Sequence, residues 1–414
     1  MVAILGYSRP QIIEAVQEMY GAVAAAPDAP FHFPVGADAC RRLGYPQALT
    51  AELPEETLAR FAGVGYPFRA DTIRSGDRVL DIGAGAGNDA LIAHRLVGPK
   101  GRVVALDLTA GMTRRLASEA RRSGIEGLGV VQGSAEQLPL PEASVDGITS
   151  NGALNLVPDK RQAVAEMFRV LKPGGRLQLA DVVIHRPVSV DCSDDPRLWV
   201  ECVVGATVKE DLLALFEEAG FEEVTVVGEH DYFALSPSDQ TREVAAGFGA
   251  HAIEVRMRRG AEPPTLRQRW RHRLDPRTCW RRLHRRGLLG IAALTLALLS
   301  CYGTLALMAL LPLLGLGLAL DEGLWAGTIA LFVLLSLATL ATGIPRHGDY
   351  WPTLLGVAGG GLVLYALFVD YRALVELGGF LLLAGAIAWD LRRRRHREAR
   401  VLGLDGTASK AQAR

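Results

Sequence analysis

The chain is poor in cysteine and begins without a recognisable secretory leader. Its five cysteines in 414 residues form no C-x-x-C pair, so neither a disulfide framework nor a dithiol redox motif is expected. The first ten residues contain no basic cluster, and their apolar run is too short for a signal peptide. We therefore expect the polar part of the chain to lie in a reducing cytoplasm.

Charged residues are absent from residues 288–320, which exceed the length of about 20 residues that one membrane-spanning helix needs. Three further apolar segments follow at residues 323–343, 353–369 and 373–389. The sequence therefore predicts four spans, with residues 288–320 holding one span and an added turn or re-entrant piece.

Arginine is concentrated in two blocks, residues 267–286 and 392–400, which flank the predicted spans. By the positive-inside rule both blocks lie in the cytoplasm, with short outer loops at residues 321–322 and 370–372. Their position beside hydrophobic spans favours lipid headgroups as partners over nucleic acid, which is not expected. The expected location is a bacterial-type inner membrane, with the polar domain and both termini cytoplasmic.

A glycine-rich turn follows the first predicted strand of the polar region. Residues 79–89 read V-L-D-I-G-A-G-A-G-N-D, and a predicted helix follows. Glycine lets the backbone approach a ligand closely, and free N–H groups at a helix start favour anions. A second strand ends at Asp107, about twenty residues later, where doubly wound folds place a ribose-binding acid. The form D-x-G-x-G-x-G resembles S-adenosylmethionine (SAM) methyltransferases more than dinucleotide enzymes, whose spacing is G-x-G-x-x-G.

Strands alternate with helical stretches from residue 78 to residue 183, which predicts a parallel sheet with crossover helices. The expected fold is a doubly wound, Rossmann-like class I methyltransferase domain followed by an all-α four-helix membrane domain. The expected boundaries are a helical lead-in at 1–75, a SAM-binding domain at 76–250, a basic juxtamembrane linker at 251–287, a membrane domain at 288–391 and a basic tail at 392–414.

The resemblance to class I methyltransferases implies a set of SAM contacts. These would come from Asp81, Gly83, Gly85, Gly87, Asp107, Met112, Ser134, Ala135 and Glu136. Asp107 would hold the ribose hydroxyls, and Ser134 stands where those enzymes usually have an aspartate. Asn151, after the fourth strand, would line the methyl-donor side and is one of two expected catalytic residues.

Residues 15–230 resemble the arsenite methyltransferase branch of that family. The most specific segments are N-L-V-P-D-K at residues 155–160 and W-V-E-C-V-V-G-A at residues 199–206. The resemblance implies trivalent arsenic held by cysteine thiolates, which suit a soft ion. Cys202 matches a family cysteine and is the second expected catalytic residue, whereas Val64 stands where the family has another. Cys40 and Cys192 are further candidate metal(loid) ligands beside Cys202.

The apolar region resembles the small mercuric-ion transport proteins of the MerC type. Shared features are S-C-Y at residues 300–302, G-L-G at residues 315–317 and A-W-D at residues 388–390. That family commonly carries a cysteine pair in its first span, and here Cys301 stands alone.

Three functions remain open from the sequence. The first is a membrane-tethered SAM-dependent methyltransferase that handles arsenite- or mercury-type ions. The second is a membrane-tethered methyltransferase for a small organic or quinone-like acceptor, which the valine at position 64 favours. The third is a metal transporter or sensor whose polar domain only binds SAM.

Overall fold

The computed structural model describes residues 7–188, 197–200, 202–262, 265, 283, 288–304 and 322–402. The chain divides into two compact units, Met1–His272 and Arg273–Arg414. Cys192, all but residue 283 of the arginine block at 267–286, and the part of the predicted first span after residue 304 lie outside the described residues.

A single sheet organises the first unit. Its strands are β1 Arg78–Ile82, β2 Arg102–Asp107, β3 Leu128–Gln132, β4 Val145–Asn151, β5 Leu171–Ile184, β6 Thr207–Val208, β7 Phe221–His230 and β8 His251–Arg259. Their order is β3-β2-β1-β4-β5-β8-β7, with β6 beside β5, and β8 runs antiparallel to its neighbours. Strand order reverses between β1 and β4, where doubly wound folds bind ligands at the carboxyl ends. The predicted Rossmann-like methyltransferase fold is confirmed.

Helices precede the sheet and connect its strands. They are α1 Arg9–Ala25, α2 Ala37–Arg42, α3 Gln47–Thr50, α4 Glu55–Leu58, α5 Asn88–Val97, α6 Ala110–Arg122, α7 Lys160–Val170, α8 Arg197–Val200, α9 Lys209–Ala219 and α10 Asp239–Phe248. Local sequence sets several ends: Ser8 and Gln11 form a capping box before α1, and Gly220 ends α9 with a φ of +107°. The apolar faces of α7 and α9 pack with β4 and β5 in one buried core.

The expected start of the linker at residue 251 is wrong. Residues His251–Arg259 form β8, which pairs with β5 and β7 inside the sheet. Exposed Arg256 and Arg258 alternate with buried Val255 and Met257, as expected for a strand. The arginines nevertheless made this segment resemble the basic residues that follow it. The sheet therefore continues nine residues into the segment that the sequence assigned to a polar linker.

Helices, most of them apolar, make up most of the described part of the second unit. They are α11 Leu289–Leu298, continued by a π-helical turn at Leu299–Gly303, α12 Glu322–Ala341, α13 Ile344–His347, α14 Trp351–Phe368 and α15 Ala373–Val401. Two of them, α14 and α15, are long and apolar enough to cross a membrane. These two pack closely through glycine, since a Cβ at Gly359 would lie 2.8 Å from the carbonyl oxygen of Gly379.

Candidate active site

Three glycines form the turn between β1 and α5. Gly83, Gly85 and Gly87 have φ angles of +76°, +53° and +104°, a region that favours glycine. A Cβ at Gly85 would meet no atom within 4 Å, whereas one at Gly87 would lie 2.2 Å from Cδ1 of Leu116. Gly85 therefore faces open space, and Gly87 instead allows α6 to pack against the turn.

Asp107 ends β2 beside this turn. Its Oδ2 accepts a hydrogen bond from the N–H of Gly85 at 2.8 Å, and its Oδ1 accepts one from the N–H of Thr109 at 2.7 Å. Burial raises the pKa of Asp107, and these two N–H groups oppose that rise. The acid and the glycine turn thus form one hydrogen-bonded unit.

A cavity opens at the carboxyl ends of β1, β2 and β4. The predicted site residues that line it are Gly83, Gly85, Asp107, Met112, Ser134, Ala135, Glu136 and Asn151. Asp81 and Gly87 do not line it. The side chain of Asp81 is buried behind the wall of the cavity, and Gly87 serves packing.

Two buried carboxyl groups, those of Asp81 and Asp89, and the half-buried carboxyl group of Asp107 lie at or behind the wall of this cavity. Burial, together with the carboxyl groups of Asp89 and Asp107, raises the pKa of Asp81 well above its ordinary value. Its Oδ2 accepts no hydrogen bond from the described residues. Burial also raises the pKa of Asp89. A cation placed here would offset these costs, and SAM carries both an ammonium and a sulfonium group, so the residues present fit it.

Glu136 is held in place by two other elements. Its Oε2 accepts a hydrogen bond from the guanidinium of Arg9 at 2.6 Å, and its Oε1 accepts one from the N–H of Asp159 at 2.8 Å. Ser134, in place of the aspartate usual in the family, accepts from the N–H of Glu136 at 3.2 Å. This loop therefore joins the cavity wall to α1 and to the start of α7.

Helix α1 covers part of the cavity, a role that the sequence did not reveal. Ile13, Val16 and Tyr20 on its inner face line the cavity. Their helical spacing predicts the helix, but spacing alone does not say what an apolar face covers. A Cβ at Gly111 would lie 3.2 Å from the Cβ of Ala24, so α1 also packs directly on α6.

The side chain of Asn151 forms hydrogen bonds with the loop that contains Val64. Its Oδ1 accepts hydrogen bonds from the N–H groups of Val64 and Gly65 at 2.8 and 3.2 Å. Its Nδ2 lies 2.9 Å from the hydroxyl of Tyr45 and 3.0 Å from Oδ2 of Asp89, and the Tyr45 hydroxyl donates to Asp89 at 2.6 Å. Asn151 thus links the cavity wall to the position at which the arsenite methyltransferase motif has a cysteine.

Cys202 is buried in an unusual backbone conformation and is not among the residues that line the cavity. Its φ is +66°, and its thiol lies 3.5 Å from the carbonyl oxygen of Val200. Burial raises the pKa of the Tyr20 and Tyr232 hydroxyl groups, with a smaller contribution from Cys202. Of these two tyrosines, Tyr20 lines the cavity.

Cys40 has different surroundings. Burial, with a contribution from the carboxyl group of Asp89, raises the pKa of Cys40 to about 12. Since the thiolate is the form that binds soft ions, this environment disfavours Cys40 as a ligand. Within the described ranges, no group of three His, Cys, Asp or Glu residues could hold a metal ion.

Each unit contains a segment that matches a known protein family. Residues 73–220 match the family described as a methyltransferase domain, and residues 288–392 match the MerC mercury resistance protein family. An arsenite methyltransferase of Halobacterium salinarum is 34% identical over 195 residues, which cover 47% of this chain and 50% of that protein. The chain thus spans about half the length of this relative.

A second group of relatives is covered more completely. The ubiquinone/menaquinone biosynthesis C-methyltransferase UbiE of Proteus mirabilis is 34% identical over 181 residues, which cover 39% of this chain and 72% of that enzyme. Among solved structures, an arsenic(III) SAM methyltransferase from Chlamydomonas reinhardtii is 31% identical. The match covers 52% of this chain and 72% of that one, with a TM-score of 0.42. The chain belongs to the SAM-dependent methyltransferases, with SAM as methyl donor, and it carries a domain homologous to arsenite methyltransferases and a MerC-type region.

Proposed function

We propose that this protein is a membrane-bound methyltransferase whose acceptor is trivalent arsenic held by Cys202. SAM supplies the methyl group from its sulfonium. The glycine turn and Asp107 hold the donor, and the protein contributes mainly by keeping donor and acceptor in line. The acceptor lone pair of As(III) needs no general base.

The backbone of Cys202 is the observation that carries this proposal. A non-glycine residue in the left-handed region costs on the order of 1–3 kcal/mol and persists where the surroundings impose it, often at functional sites. The described non-glycine residues with positive φ are Asp71, Ala143, Cys202 and Glu223, and Cys202 is the buried one. A strained, buried thiol that contributes to the pKa of Tyr20, a residue lining the donor cavity, is consistent with a ligand to the acceptor.

One thiolate does not complete the coordination of As(III). Val64 is 2% exposed and offers no donor atom on its side chain, and burial raises the pKa of Cys40 to about 12, which disfavours the thiolate. We assign the remaining ligands to Cys192, ten residues before Cys202, and to small thiols that accompany the ion.

The second unit anchors the enzyme. We propose four spans between residues 288 and 391 in a bacterial-type inner membrane, with both termini and the methyltransferase unit cytoplasmic. Support comes from the apolar helices and from the arginine blocks on either side of them. In this arrangement the arginines contact lipid headgroups, and the linker begins after Arg259.

An organic, quinone-like acceptor is the second candidate. Buried Val64 leaves an apolar side chain where a metalloid ligand is expected, and the better-covered relative is a quinone C-methyltransferase. A carbon acceptor would make Cys202 dispensable, so the two candidates predict different behaviour of one variant.

The test uses the full chain purified in detergent with radiolabelled SAM. Arsenite with a small thiol should be methylated, whereas Hg(II), which offers no lone pair to a sulfonium methyl group, should not. Cys202→Ser should lower arsenite methylation at least tenfold with unchanged SAM affinity, because a hydroxyl is a poor ligand for a soft ion.

Cys40→Ser is the matched control, since that thiol is also buried and burial raises its pKa to about 12. It should keep arsenite methylation within about twofold of the parent protein, an allowance for small packing changes. Full activity of Cys202→Ser on arsenite would refute the proposal. Transfer of label to membrane extract but not to arsenite would establish the organic acceptor instead.

A further inference from the structure

The two segments that carry the most specific resemblance to arsenite methyltransferases, residues 155–160 and residues 199–206, contact each other in the fold. The Nε1–H of Trp199 donates a hydrogen bond to the carbonyl oxygen of Leu156 at 2.9 Å. Leu156 lines the donor cavity, and the N–H of Cys202 donates to the carbonyl oxygen of Trp199 at 3.4 Å. Trp199 therefore links the wall of the donor cavity to the turn that contains the proposed arsenic ligand.

Gly205 shows how closely these segments pack. A Cβ at this position would lie 2.6 Å from the carbonyl oxygen of Asn155 and 3.1 Å from Nε1 of Trp199. A carbon atom cannot approach a carbonyl oxygen this closely without a bond, so any other residue at this position would push the segments apart. Residues 199–206 are therefore held against residues 155–160 by direct contact.

A buried lysine lies at the same contact. Lys160 is 1% exposed, and its ammonium group donates hydrogen bonds to the carbonyl oxygens of Asn155 and Val157, each at 2.9 Å. Its Nζ also lies 4.9 Å from the centroid of the Trp199 ring, which is within the range of a cation–π contact. Lysine is almost never fully buried unless it is paired, and the proposed methyl transfer gives this lysine no chemical role.

Nearby carboxyl groups keep Lys160 charged at neutral pH. Burial lowers its pKa to about 8, and the carboxyl groups of Asp181, Glu136 and Asp159 oppose that fall. With this pKa the ammonium form predominates at pH 7. The ring of Trp199 therefore lies beside a buried cation, where a cation–π contact is stronger than at an exposed site.

We propose that Lys160 is a positioning residue for the acceptor: it holds Trp199, and Trp199 holds the turn that contains Cys202. This inference rests on the proposed function, in which Cys202 binds arsenic. A left-handed backbone is unfavourable for a residue other than glycine and persists only where the surroundings impose it. The φ of Cys202 is +66°, so loss of the lysine contact should release this turn and weaken arsenite binding, although every ligand atom is still present.

The experiment measures how fast two buried thiols react with N-ethylmaleimide. The full chain in detergent, without arsenic or SAM, is treated with the reagent, and peptide mass spectrometry follows the modification of Cys202 and Cys40. Both thiols are buried in the same unit, so each reacts only when the structure around it opens. Lys160→Met should accelerate the reaction of Cys202 by about tenfold or more and that of Cys40 by less than about twofold, because local opening exposes one thiol and global unfolding exposes both.

A double variant tests whether Lys160 acts through Trp199. Trp199→Leu should also accelerate the Cys202 reaction, and Lys160→Met combined with Trp199→Leu should exceed the larger single effect by less than about twofold, since coupled residues are not additive. Trp199→Phe keeps an aromatic face beside the ammonium and should accelerate the reaction less than Trp199→Leu. This last comparison keeps Lys160 and does not depend on how Lys160→Met folds.

Lys172→Met is the matched control. Lys172 forms an ion pair with Asp146 at 2.6 Å near the amino end of β5, away from the edge of the sheet that forms the cavity. This variant should react like the parent protein. In methylation assays, Lys160→Met should raise the KM for arsenite about tenfold and keep kcat within about threefold, because binding of the acceptor is weakened and the transfer step is not.

Several results would overturn the inference. These are an unchanged Cys202 rate in Lys160→Met, equal acceleration of Cys202 and Cys40, additive effects in the double variant, equal rates in Trp199→Phe and Trp199→Leu, or an unchanged KM for arsenite. The thiol measurements contain no arsenic, so they separate this inference from the proposed function. Full arsenite methylation by Cys202→Ser would refute the proposed function alone and leave the hold of Lys160 on this turn established.

Discussion

Asp107 holds the glycine turn through the N–H of Gly85 and faces the cavity with the same carboxylate. Hydrogen bonds to a charged group contribute about 1.5–3 kcal/mol each. We therefore expect Asp107→Ala to lower SAM affinity at least tenfold in calorimetric titration, with the fold retained. Asp107→Asn keeps one acceptor oxygen for the turn and should lose less. Unchanged affinity in Asp107→Ala would contradict the ribose-binding role.

The location of a site residue could be predicted when the residue directly follows a strand. It could not be predicted when the location depends on a contact between distant segments. Asp107 and Gly85 follow strands directly, so their position at the sheet edge follows from the strand pattern. Asp81 lies within β1, and whether its side chain points into the cavity depends on the face of the sheet that this residue occupies. Tyr20 reaches the cavity only because α1 folds back over α6, and no local signal encodes that contact.

The turn between β1 and α5 combines two different uses of glycine. A side chain at Gly85 would enter open space in the cavity, whereas one at Gly87 would clash with Leu116. Gly85→Ala should therefore lower SAM affinity with a modest loss of stability, since the left-handed conformation costs about 1–2 kcal/mol. Gly87→Ala should cost clearly more stability, because clash adds to that strain. Thermal unfolding and calorimetric titration of both variants separate the effects, and equal destabilisation would contradict the assignment.

Strand β8 shows where sequence patterns fail for a whole element. Its arginines resemble the basic segment that follows, so the sheet seemed to end near residue 250. Glu254, an acid in the middle of a buried strand, also argues locally against a strand. In the fold its oxygens accept hydrogen bonds from the N–H of Tyr66 at 2.9 Å and from Arg69 at 2.6 Å. Those partners lie more than 180 residues away along the chain, which no local pattern could show.

At the scale of the whole molecule, the sequence separates a polar α/β unit from an apolar helical one because their hydrophobic patterns differ throughout. The number of spans is harder to predict, since within the described residues only α14 and α15 meet the length and hydropathy that a span requires. One contact bears on topology. The guanidinium of Arg393, in the second arginine block, lies 2.9 Å from the carboxylate of Asp349 in the joint before α14. That joint and that block therefore lie at the same end of the helical unit.

The residues at the two ends of α14 and α15 predict how the chain is oriented in the membrane. If the arginine block at residues 392–400 is cytoplasmic, the joint near Asp349 is cytoplasmic too, and the loops at residues 321–322 and 370–372 lie outside. Alkaline phosphatase, which is active only outside the cytoplasm, should be active when fused after Asp321 and inactive when fused after His347 or Arg400. Activity after Arg400 would mean an odd number of spans. Activity after His347 with none after Arg400 would separate two positions that the Arg393–Asp349 ion pair holds together, so either result would refute the four-span arrangement.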